Sequence, residues 1–256
     1  MVGLLVTRTV TGAVVGALIG VLFDQSAGLG LSFPGSPPAA SVSEVFFRTT
    51  FELMGHVAKS DGRVSEAEID AARRLMQELR LGPIEIGAAI ECFRAGKSPS
   101  YDAGLRIEQL REACGLRFDL LAAFIELQLR AALAGNGISP PARLILMRAA
   151  ERLGMSPVEF LRMEAGVRAR YAGAQPGAQP GGRAQRPLDE FYAELEVSAG
   201  ASDAEVTKAY RRQMSRHHPD KLVANGLPES MAEWAKEKTQ RIQESYEAIR
   251  AARGMR

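Results

Sequence analysis

From residue 44 onward the apolar positions of this chain recur every three or four residues and almost nowhere alternate one by one. That period belongs to helices, so the pattern predicts an all-α protein. Between Glu44 and Tyr171 helix starts punctuate it. Ser65-Glu66-Ala67-Glu68 and Ser156-Pro157-Val158-Glu159 have the form of capping boxes, and Pro83, Pro140 and Pro157 stand where a first helical turn tolerates proline. About seven helices fit, and a segment of this length is predicted to fold as an independent bundle around one apolar core.

Two stretches lose the period. Residues 25–43 are rich in Gly, Ser and Pro, including Phe33-Pro34-Gly35-Ser36-Pro37-Pro38. Residues 172–187 contain Gly-Ala-Gln-Pro twice in succession, at 173–176 and 177–180. Both read as tethers. Ahead of the first, Met1 to Phe23 is mostly apolar, with no charge between Val10 and Phe23. A span takes roughly 20 residues, so Met1 to Val6 must contribute and Arg8 must snorkel. Residues 1–24 are therefore predicted to form a transmembrane helix. Gly12, Gly16 and Gly20 share one face of it at the spacing that lets two membrane helices approach, which predicts a homodimer face. Against this stand a glycine face that merely meets lipid, and a secretory signal peptide; no small-x-small cleavage site follows Phe23.

The C-terminal segment carries the most specific pattern. Ser202-Asp203-Ala204-Glu205 reads as a capping box, and Val206, Ala209, Tyr210 and Met214 then form an apolar stripe. Lys208, Arg211, Arg212 and Arg216 fall on the opposite face. Pro219 cannot donate a backbone hydrogen bond and pushes His218 out of the helical region, so this helix ends by His217 and His218-Pro219-Asp220 is predicted to lie in a loop. Met231, Trp234, Ala235, Lys238, Ile242, Ser245, Tyr246 and Ile249 restore the helical period. The result is an antiparallel hairpin with His218-Pro219-Asp220 at its tip.

On these residues, the segment from Leu188 to Arg256 resembles the J domain of DnaJ-type co-chaperones. Asp189, Phe191, Tyr192, Leu195 and Val197 match its short opening helix, with Glu196 where the family usually has glycine. Ala209-Tyr210-Arg211, His217-His218-Pro219-Asp220-Lys221 and Gln243-Glu244-Ser245-Tyr246-Glu247-Ala248-Ile249 match further on. The resemblance implies that Lys208, Arg211, Arg212, Arg216, His218, Pro219, Asp220 and Lys221 bind a DnaK-type chaperone. The basic face steers onto an acidic surface, and Asp220, held by His218 and Pro219, engages the junction of the ATPase and substrate-binding domains and biases it toward hydrolysis. Without the flanking matches, the same residues would read as a solvated basic face and an ordinary Pro-Asp turn. Nucleic acid is not the expected partner, because the chain as a whole carries only +2.

Gly55 to Ile69, with Asp61-Gly62 between helical stretches, resembles the repeat signature of the tellurite-resistance TerB-like domain. A fainter copy lies at Ala134-Gly135-Asn136-Gly137-Ile138-Ser139. Asp61, Glu66 and Glu68 offer oxygens to a hard cation, but Asp-Gly is ordinary turn chemistry and the second copy has lost its acids. No metal site is expected. His56 reads as a structural histidine.

Cys92 and Cys114 are the only cysteines. They include no Cys-x-x-Cys pair, which excludes a zinc-finger region, and whether they pair with each other stays open. With no nucleophile beside a base and no phosphate loop, the chain is read as a non-enzyme without a cofactor. The layout of 1–24 membrane segment, 25–43 linker, 44–171 TerB-like bundle, 172–187 linker and 188–256 J domain resembles the DjlA-like family of membrane-anchored co-chaperones. That resemblance implies a single-pass inner-membrane protein with a short periplasmic N-terminus and a cytoplasmic bulk, linked to envelope-stress or capsule regulation, with an unnamed client. Arg8 alone would argue for the reverse orientation. The rival functions are a TerB-like metal- or stress-responsive scaffold with a non-functional J-like hairpin, and an exported enzyme.

Overall fold

The structure is a computed structural model that describes residues 41–62, 66–135, 137–172 and 188–255. The predicted membrane segment with Gly12, Gly16 and Gly20, the linker residues up to 40 and 173–187, and the Ser65 cap lie outside the described residues. Among those that are described there are helices and no strand, and no helix is long and apolar enough to cross a membrane.

Helix α1 (Val42–Ala58) is the axis of the bundle. Ser41 caps it, accepting a hydrogen bond from the Glu44 amide at 3.1 Å. Phe46, Phe47, Phe51 and Leu53 are fully buried, so this helix is apolar nearly all round. Helix α3 (Pro83–Gly96) lies directly against it through two glycines. A Cβ on Gly55 would sit 2.0 Å from the Phe93 carbonyl oxygen, and one on Gly96 1.7 Å from that of Glu52. The backbones touch there, which no larger residue permits.

Helices α2 (Glu66–Glu78), α4 (Ala103–Cys114), α5 (Phe118–Ala134), α6 (Pro140–Arg152) and α7 (Pro157–Ala172) complete seven helices over this region. Pro83, Pro140 and Pro157 each open a helix as expected. The Ser156 box closes both ways: the Ser156 amide donates to Glu159 Oε2 at 2.9 Å, and the Glu159 amide to Ser156 Oγ at 3.3 Å. Cys92 and Cys114 are free and buried, and burial pushes both thiols up to about 12, which removes them from thiolate chemistry.

The C-terminal part comprises α8 (Leu188–Glu194), α9 (Asp203–His217), α10 (Pro219–Ala224), a 3₁₀ turn at Glu229–Met231 and α11 (Ala232–Arg253). Here two expectations need correction. His218-Pro219-Asp220 is not a plain loop: His218 (φ −61°, ψ 122°) ends α9 and caps the short α10, so Pro219 and Asp220 occupy a first helical turn. Proline breaks one helix and, with its preset φ, starts the next. Nor is the bundle core self-contained. Leu222, Leu227, Met231, Trp234 and Ala235 belong to the same apolar cluster as Phe46 and Phe124, whereas Tyr192, Leu195, Val206, Ala209, Ile242 and Ile249 form a second, smaller core.

Candidate functional site

The basic helix α9 is built as its sequence predicts. The Glu205 amide donates to Ser202 Oγ at 3.3 Å, and the Ser202 amide to Glu205 Oε2 at 2.7 Å. The Ser202 amide and, at 2.8 Å, the Ser202 hydroxyl, both donating to Glu205 Oε2, hold the Glu205 carboxyl below its ordinary value. Val206 and Ala209 are buried, and Tyr210 stacks on Tyr246 of α11 with ring centroids 4.2 Å apart and planes at 12°. Arg253 closes the far end of the hairpin. Its guanidinium donates to Tyr192 Oη at 2.5 Å and to the carbonyls of Ala201 and Ala199 at 2.6 and 2.7 Å. The α8–α9 connection is thereby tied to the last turn of α11.

The predicted chaperone-binding residues divide into two groups. Lys208, Arg211, His218 and Asp220 are exposed. Arg212, also exposed, and the half-buried Arg216 face the carboxylate of Glu196, whose Oε2 lies 3.9 Å and 3.5 Å from them. Lys221 is ion-paired with Asp119 at the start of α5. Arg216 also lines a small cavity with Phe118, Met163 and Glu159 of the bundle. The end of the basic face nearest Asp220 is therefore already engaged within the molecule, and the end nearest Ser202 is open.

Glu196 has an unusual backbone. It stands just past α8 with φ +56°, and its amide donates to the Ala193 carbonyl while that of Val197 reaches the Tyr192 carbonyl, both at 3.0 Å. This is the Schellman arrangement, in which the left-handed position normally falls to glycine. A side chain there costs roughly 1 kcal/mol.

Behind Asp220, the hairpin is seated on the bundle. Gly226 (φ +108°) makes the approach possible, since a Cβ there would come within 2.6 Å of Val42 Cγ1. Trp234 is fully buried, and its indole and the His217 ring stand nearly perpendicular, at 82°, with centroids 6.2 Å apart. Burying a side chain of this size contributes roughly 3 kcal/mol. Beneath it lies a buried charged cluster. Lys238 Nζ is 2.9 Å from Glu126 Oε1 of α5 and 2.8 Å from Glu194 Oε1 of α8, so one ammonium joins three elements. His217 Nε2 is 3.7 Å from Glu126 Oε2. That distance would suit an ion pair, yet the imidazole is neutral. Burial is the main cause, and it pushes His217 down to about 3; the Lys238 ammonium adds to this, and the Glu126 carboxylate opposes it without prevailing.

Sequence reasoning singled out the triplet and the basic face but missed this seat. Asp119, Glu126 and Glu194 carried no motif, and Lys238 and Trp234 were read only as members of a helical stripe. The one available signal was a charged residue, Lys238, placed within that stripe. Among the described residues no group of His, Cys, Asp and Glu converges as a metal site. His56 packs its ring 5.2 Å from that of Tyr101, and burial lowers its pKa.

Comparison with known proteins adds two domain matches: residues 190–253 match the DnaJ domain and residues 48–165 match tellurite resistance protein TerB. Among curated proteins the chain is 42% identical over 219 residues to co-chaperone protein DjlA of Coxiella burnetii, covering 84% of this chain and 80% of that protein. It is also 42% identical over 220 residues to DjlA of Escherichia coli K12 (83% and 81% covered), and 40% over 238 residues to DjlA of Vibrio cholerae (88% and 84%). No solved structure matches the chain.

Proposed function

Since the chain belongs to the DjlA co-chaperone family, we propose that it binds a DnaK-type chaperone through α9 and Asp220 and stimulates that partner's ATP hydrolysis at the inner membrane. The ATP chemistry belongs to the partner; this chain supplies a shaped, charged surface. The observation that carries the reading is the setting of Asp220, exposed on the first turn of α10 while Leu222, two residues later, is fully buried in the core shared with the bundle. A carboxylate on so firm a mount loses little freedom on binding, so more of its pairing energy with a partner arginine is realised. Lys208 and Arg211, both exposed, supply the long-range attraction.

The N-terminal apolar segment, in this reading, anchors the chain with its short N-terminus periplasmic and the helical parts cytoplasmic, where ATP is available. Gly12, Gly16 and Gly20 form the face on which two anchors pair. The bundle selects the client and fixes the direction in which Asp220 points.

The test is single-turnover ATP hydrolysis by a bacterial DnaK mixed with the full chain in detergent micelles, wild type beside Asp220→Asn. Stimulation by the wild type and at least a tenfold smaller effect from Asp220→Asn is the expected result. Equal stimulation by both, or none by the wild type, overturns the reading.

A further inference from the structure

We propose that Glu196 is a specificity-determining residue of the α9 surface, acting as a built-in competitor for the acidic partner and thereby slowing its capture. The inference rests on the proposed binding of a DnaK-type chaperone through α9.

Three observations converge on it. The backbone at Glu196 is left-handed, at φ +56°, in a turn whose hydrogen bonds need no side chain. Glutamate there forgoes the freedom that glycine has at this position. That side chain is only 16% exposed, and its Oε2 lies 3.5 Å from Arg216 Nη1 and 3.9 Å from Arg212 Nη2, one helical turn apart on α9. It also lines an open groove of about 860 Å³, together with Arg162, Lys208, Arg212 and the acids Asp189 and Glu205, so a partner carboxylate approaching Arg212 there meets a glutamate already in place.

An acidic partner binding Arg212 and Arg216 must displace or share this internal carboxylate. Lys208 and Arg211 are exposed, and among the described residues neither forms an ion pair. The surface is therefore graded, open at the Ser202 end and self-neutralised toward Asp220. A partner is drawn in by Lys208 and Arg211, and only one with enough negative charge to outcompete Glu196 completes the contact beside Asp220. Weakly acidic surfaces are captured more slowly.

Glu196→Gln removes the charge and keeps both the side-chain shape and the left-handed residue. Association of the full chain, in detergent micelles, with ATP-bound DnaK is measured by stopped flow across a salt series. Releasing Arg212 and Arg216 from their internal carboxylate should raise the on-rate about threefold at low salt, with the gain vanishing as salt screens it. In an Arg212→Gln/Arg216→Gln chain the same substitution should have no effect. An unchanged or slower on-rate for Glu196→Gln overturns the proposal, the slower rate by showing that the carboxylate positions the arginines for binding. A gain that persists undiminished in the double arginine variant overturns it too, since that would be a general field effect. If the wild type fails to bind DnaK at all, the proposed function itself falls, which separates the two failures.

Discussion

Lowering the pH from 7.5 to 5 offers a proton to a site that the folded chain refuses to charge. His217 is completely buried beneath Trp234, and burial depresses its pKa to about 3 against an ordinary value of 6.5. Between those values the unfolded chain binds a proton that the folded chain does not, so stability is full above about pH 6.5 and declines as the pH falls. At pH 5, about 1.5 units below the unfolded value, a cost of about 1.4 kcal/mol per unit gives a loss of about 2 kcal/mol. Against a total of roughly 5–15 kcal/mol, that is a large share. The assay is urea unfolding of the full chain at several pH values, followed by the fluorescence of Trp234, the only tryptophan. Its ring abuts His217, so it reports on this seat directly. His217→Gln carries no titrating group here and should flatten the pH dependence by about 2 kcal/mol between pH 7.5 and 5, whatever it does to stability at neutral pH. His56 and the carboxylates are common to both proteins and cancel in the comparison. An equal slope in the two would refute the reasoning, because it would mean that the imidazole is protonated in the folded chain.

Lys238→Met would leave Glu126 and Glu194 without the ammonium that lies 2.9 and 2.8 Å from them. Breaking such a buried pairing should cost about 3–5 kcal/mol in urea unfolding, and a loss below about 1 kcal/mol would show that the cluster is hydrated. Gly226→Ala combines a left-handed backbone with a Cβ 2.6 Å from Val42 Cγ1, and should destabilise the chain by about 2 kcal/mol or more while leaving α9 helical. Hydrogen exchange should show the loss of protection concentrated in α10 and the start of α1; uniform protection would exclude a local seat.

The helical period, the proline-opened helices, the Ser156 and Ser202 caps and the break at His218-Pro219 were all legible in the sequence, because each depends on residues within one or two turns of one another. The relation between the two helical parts was not legible. Residues 222–235 read as the flank of a hairpin, with nothing local to say that Leu222, Leu227, Met231 and Trp234 would complete the core around Phe46 and Phe124, far earlier in the chain. Nor does spacing distinguish a solvated arginine from one already matched: Lys208, Arg211, Arg212 and Arg216 are equivalent on a helical wheel, and only the fold brings Glu196 to two of them. The local pattern thus determined which helices form and which groups they carry. Burial, charge pairing and the neutral state of His217 depend on which distant surfaces exclude water together, and the tertiary structure alone decided those.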